Sequence, residues 1–134
     1  MALNKAYSSY QATSVANAKP EELTLMLYNG LMRFIMQAQK GIEENNVSKI
    51  HENIVRAQNI IEEFQVTLDM QYEISQNLMR LYDYMYRRLV EANLKKDKMI
   101  LDEVLGFAAE LRDTWVQAMK SLSQQGNTHR VAEK

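Results

Sequence analysis

Apolar positions recur along most of this chain at helical spacing. Ile50, Ile54, Ala57, Ile61, Phe64 and Leu68 follow one another at intervals of 4, 3, 4, 3 and 4. Leu101, Val104, Ala108, Leu111, Trp115, Ala118 and Leu122 repeat the pattern at 3, 4, 3, 4, 3 and 4. Such alternation marks the inward seam of helices packed at a shallow angle. Two further segments carry wider apolar faces. In residues 20–43, Leu23, Leu27, Leu31, Phe34 and Ala38 share one side. In residues 71–94, Ile74, Leu78, Leu81, Met85 and Leu89 are expected to face inward.

Turn and capping signals divide these runs. Pro20 suits the first position of a helix, and Glu21 and Glu22 complement its positive end. The polar stretch at 43–48 predicts a turn, with Ser48 as N-cap of a helix reaching Asp69. Residues 93–97 predict a second turn, with Asp97 capping the last helix. No strand-like alternation competes with this reading. The predicted fold is all-α, an antiparallel up-down four-helix bundle spanning residues 20–123. Residues 1–19 are rich in Ser, Ala, Asn, Gln and Thr and predict a mobile N-terminal arm; residues 124–134 predict a flexible tail.

Composition narrows the function. The 134 residues fit one domain and include no cysteine, which excludes disulfides and thiolate chemistry. Sixteen basic residues face seventeen acidic ones, a balance that argues against nucleic-acid binding by bulk electrostatics. The start MALNKAYSSYQATS has no apolar signal region, and no apolar run approaches the ~20 residues of a membrane span. A cytoplasmic protein without membrane insertion is expected.

Candidate chemistry is sparse. His51 and His129 are far apart, and a Glu-x-x-His pair would need glutamate where Ser48 stands. The carboxylate pairs Glu21–Glu22, Glu43–Glu44 and Glu62–Glu63 fall at helix ends or on polar faces. Arg87, Arg88, Lys95, Lys96 and Lys98 gather where they offset a helix C-terminal dipole. There is no phosphate loop and no nucleophile motif. Neither catalysis nor a metal or cofactor site is expected.

What stands out is a surplus of apolar surface. Beside its inward face, the first helix carries a second stripe of Leu25, Tyr28, Met32 and Met36. The third adds Tyr72, Met79, Tyr82, Tyr86 and Val90. Adaptable methionine and tyrosine faces of this kind are expected to form a groove for a partner's apolar segment. Tyr7 and Tyr10 in the arm are expected to cover part of it when no partner is bound. The main alternative is a self-associating adaptor, in which the surplus face pairs weakly with a second copy.

Several ordered blocks carry a family resemblance. YSSYQATSVANAKPEELTLMLYNGLMRFI from Tyr7, NIIEEFQVTLD at 59–69, LYDYMYRRLVEAN at 81–93, then Asp97, Glu103–Val104 and Trp115, together resemble the flagellar secretion chaperone family FliS. The similarity covers about residues 7–120. The resemblance implies a non-enzymatic bundle that binds the disordered C-terminal segment of flagellin in the cytoplasm. It implies that premature polymerisation is thereby prevented and the client delivered to the flagellar type III export apparatus. It also implies that Tyr7 and Tyr10 help dock the complex to a membrane protein of the export gate, with no cofactor and no ATP.

Overall fold

The computed structural model describes residues 18–133, with side chains through 124. Four helices follow in order: α1 Pro20–Glu43, α2 Val47–Thr67, α3 Glu73–Lys95 and α4 Lys98–Glu133. Helix α1 packs on α2 and α4, and α3 packs on the same two, so α1 and α3 stand diagonally across the bundle. The short connections force each helix to run antiparallel to the one before it. Together the four form the expected bundle.

Local chemistry explains the boundaries. Pro20 opens α1, and the Lys19 amide donates to the Glu22 carboxylate at 3.3 Å. Helix α1 closes through the Asn46 amide to the Gly41 carbonyl (2.8 Å), with Asn45 at φ 55°. That left-handed residue turns the chain, as at many helix ends. Gly41 lets α2 come close, because a Cβ there would lie 3.0 Å from Ile50 Cγ1 and 3.1 Å from the Ile50 nitrogen. The cap of α2 is Asn46 rather than the expected Ser48: its side chain accepts from the Lys49 amide at 3.1 Å. At the far end of α3, Lys96 adopts φ 52°, and Asp97 Oδ1 accepts from the Met99 amide at 2.9 Å.

The core runs through all four helices. Leu31, Ile35, Ile54, Ile60, Ile61, Met85, Leu89, Leu101 and Val104 are fully enclosed. Burying each large side chain contributes about 1.5–3 kcal/mol, so these residues carry much of the fold.

Two seams differ from expectation. In α3, Ser75, Tyr82, Met85, Leu89 and Ala92 are buried, while Ile74 is exposed and Leu81 only half-buried. The helix starts at Glu73, and Ser75 takes the inward position, with its hydroxyl satisfied by the Asp69 carbonyl at 2.5 Å. In α4 the seam is covered only as far as Ala108; Leu111 and Trp115 are half-buried, and Ala118 and Leu122 are exposed. Trp115 already reaches Glu21 in the first turn of α1. Helix α4 is 36 residues long, about 54 Å at 1.5 Å per residue, against 24 residues for α1. It therefore outlasts the helix opposite.

Candidate functional site

Where α4 outlasts α1, a groove opens between them. Glu21, Glu22 and Leu25 of α1 and Trp115, Val116 and Met119 of α4 line about 210 Å³, almost all of it apolar. The Trp115 indole Nε1–H donates to the Glu21 carbonyl at 3.3 Å, which fixes the ring as one wall. A first-turn carbonyl is normally consumed within its helix, so this bond is a shared one. Of the expected α1 stripe, Leu25 lies in this groove, Met32 is half-buried and Met36 is exposed.

Two of the expected groove residues lie elsewhere. Tyr28 and Tyr82 are buried in the core, where their hydroxyls meet at 3.2 Å. Phe64 of α2 packs against both, its ring centroid 4.5 Å from that of Tyr28 and 5.6 Å from that of Tyr82. A client that leaves the bundle packed does not touch either tyrosine. Burial raises both phenols above their ordinary pKa and holds them neutral.

The α3 block LYDYMYRRL is largely spent on assembling the bundle. Tyr82 reaches α1, Tyr86 donates to Glu62 of α2 at 3.0 Å, and Tyr84 donates to Glu103 of α4 at 2.9 Å. Arg88 bridges Glu103 at 2.8 Å and Glu91 at 2.5 Å. Its hydrogen bond is the main reason the Glu103 carboxyl sits below the usual range. Alternate positions thus address different neighbours, which explains the density of tyrosine. Among the other expected contacts, Met79 is half-buried and Tyr72 and Val90 are exposed. Tyr86 lines a more polar groove between α2 and α3, about 450 Å³, with Glu62, Gln65, Asp83 and Arg87.

The structure therefore does not unite the expected residues in one groove. The α1 set and the α3 set occupy opposite corners of the bundle. Trp115, Val116 and Met119 join the α1 set, although the sequence pattern assigned Trp115 inward. Trp115 already lies opposite the first turn of α1, so the seam residues beyond it have no α1 residue to cover them. Tyr7 and Tyr10 lie outside the described residues.

Other chemistry is thin. Among the described residues no group of three or more His, Asp or Glu is placed to hold a metal. His51 Nδ1 shares a hydrogen bond with the Asn93 amide at 2.9 Å, tying α2 to α3. No helix of the described residues is long and apolar enough to cross a membrane.

The described residues thus form a helical bundle with an open apolar groove and no evident reaction centre. Sequence comparison specifies the family. Residues 3–122 match the model of the flagellar protein FliS, and the chain belongs to that family. The flagellar secretion chaperone FliS of Bacillus subtilis is 48% identical over 121 residues, covering 90% of this chain and 91% of the relative. That of Salmonella typhimurium is 35% identical over 125 residues, covering 90% and 93%. That of Escherichia coli is 33% identical over 114 residues, covering 83% and 84%. The relatives are named for a chaperone role, not for a reaction.

Proposed function

We propose that this protein is a cytoplasmic, non-enzymatic chaperone for flagellin, binding the disordered C-terminal segment before export. The observation that carries the reading is the α1–α4 groove, walled by Leu25, Trp115, Val116 and Met119 and nearly free of polar surface. An amphipathic client helix lays its apolar side chains into such a groove. Met32 and Met36 extend the contact along α1, and Met79 and Val90 supply contacts on α3. A client long enough to meet both corners wraps the bundle rather than entering one cleft. Ordering on binding lowers its affinity per unit area, which suits a cargo that must be released.

Covering the client prevents premature polymerisation, and the complex is then delivered to the type III export apparatus. Tyr7 and Tyr10 are proposed, on the family resemblance, to dock an export-gate membrane protein. The arm at residues 1–19 is proposed to cover part of the apolar surface between clients.

Mass in solution tests this reading against self-association. A monomer that forms a one-to-one complex with a flagellin C-terminal peptide supports it. A tight dimer whose mass ignores the peptide contradicts it.

A further inference from the structure

The α2–α3 connection carries an apolar surface that packing among the described residues does not use. Val66, Met70, Tyr72 and Ile74 are between 47 and 73% exposed, all within nine consecutive residues. Single exposed apolar side chains are ordinary, but four gathered around one helix connection are of the kind that marks a partner site. The turn beneath them is held by its own hydrogen bonds. The Gln71 amide donates to Asp69 Oδ1 at 3.0 Å, the Ser75 amide to the Tyr72 carbonyl at 3.1 Å, and the Ser75 hydroxyl to the Asp69 carbonyl at 2.5 Å. A surface presented on a fixed backbone avoids much of the ordering cost of binding.

Charge identifies the occupant. Residues 57–79 contain four acidic side chains and no basic one. Glu62, Asp69, Glu73 and the nearby Asp83 have no lysine or arginine within ion-pair distance among the described residues. Their hydrogen bonds come from neutral donors: the Tyr86 hydroxyl to Glu62, the Gln71 amide to Asp69 and the Gln65 side chain to Asp83. The opposite end of the bundle differs. There Glu43, Glu44 and Glu91 each hold a lysine, at 2.5, 3.2 and 2.7 Å. Three glutamates are paired with lysine at one end, whereas at the other these four carboxylates form no ion pair among the described residues, with Arg80 and Arg87 as the nearby cations on α3. The α2–α3 groove contains one cation, Arg87, which is placed over the Tyr84 ring at 6.0 Å.

We propose that this surface docks a basic amphipathic segment of a second protein partner, separate from the apolar client tail. Its apolar side chains meet Val66, Tyr72 and Ile74, and its Lys or Arg residues meet Asp69, Glu73 and Asp83. A second copy of this chain fits poorly, because a two-fold contact brings the same unpaired carboxylates face to face. An anionic membrane surface is repelled for the same reason.

The test uses the full-length chain, isotope-labelled for NMR, and two short amphipathic helical peptides, one of Leu and Lys and one of Leu and Glu. The Leu/Lys peptide is expected to shift amides of residues 62–74 and 83–87, and the Leu/Glu peptide to leave them unmoved. Raising salt to a few tenths molar, where the screening length shrinks to several Å, is expected to weaken binding. Glu73→Lys with Asp83→Lys is expected to weaken it about tenfold, and Ile74→Asn to weaken it with the thermal melt unchanged. Because Ile74 and Glu73 are exposed, loss of folding does not confuse these readings. Equal binding of both peptides, shifts confined to another face, concentration-dependent shifts without peptide, or displacement by the flagellin tail would each overturn the proposal. Flagellin binding in the α1–α4 groove can stand or fall independently of all these outcomes.

Discussion

The Tyr28 hydroxyl lies 3.2 Å from that of Tyr82, joining the two diagonal helices α1 and α3 through the core. Each hydroxyl is the other's partner in an apolar setting, with Phe64 packed against both rings. Removing one member strands the other. Tyr82→Phe is therefore expected to cost about 1–2 kcal/mol, and Tyr28→Phe about as much. The double variant should cost less than the sum of the two, because no orphaned hydroxyl remains. Denaturant unfolding of all four proteins closes the cycle; strict additivity would show that the two hydroxyls do not interact. Tyr82→Glu, which buries a charge, is expected to lower folding stability strongly rather than to act on client binding.

Gly41 and Gly106 predict opposite responses to the same substitution. Nothing lies within 4 Å of a Cβ placed at Gly106, which is exposed in mid-helix. Gly106→Ala is expected to stabilise by about 1 kcal/mol through helix propensity. At Gly41 the added Cβ meets Ile50 Cγ1 at 3.0 Å and the Ile50 nitrogen at 3.1 Å. Backbone cannot yield as a flexible side chain does, so Gly41→Ala is expected to destabilise despite the better propensity. Paired thermal melts decide both.

Glu63 is buried, and desolvation raises its carboxyl above the ordinary 4.5. The folded state thus favours the protonated form more than the unfolded chain does. Its contribution is most favourable below the unfolded pKa and is lost as pH rises through the folded one. Glu63→Gln is expected to be more stable than the parent at pH 7, with the gap narrowing as pH falls through the raised folded pKa towards 4.5 and levelling off below it. Unfolding curves of both proteins across pH 3–8 measure it. A constant gap would show that the carboxyl is not desolvated. The comparison isolates Glu63 from Glu43, Glu91 and Glu103, whose pairing lowers their pKa and withdraws stability in acid from both proteins alike.

The bundle was legible because its signals are local and repeated. The 4-3 seams of α2 and the first half of α4, Pro20 and Asp97 each state their element without reference to a neighbour. The candidate surface was less so. Spacing places Tyr28 and Tyr82 on a helix face but cannot say that two such faces meet across a core and satisfy each other's hydroxyls. Ile74 and Ser75 are adjacent, and only the start of α3 decides which turns inward. The exposed end of the α4 seam depends on where α1 begins opposite it, a relation between two helices that no periodicity within one of them records.

The most direct test of the account uses the protein's one tryptophan, which walls the α1–α4 groove. Titrating the full chain with a flagellin C-terminal peptide is expected to shift Trp115 emission to the blue and to saturate. Leu25→Glu, which sets a third carboxylate beside Glu21 and Glu22, is expected to weaken binding at least tenfold while the protein remains folded. Peptide binding that leaves Trp115 emission unchanged and tolerates Leu25→Glu would contradict the account.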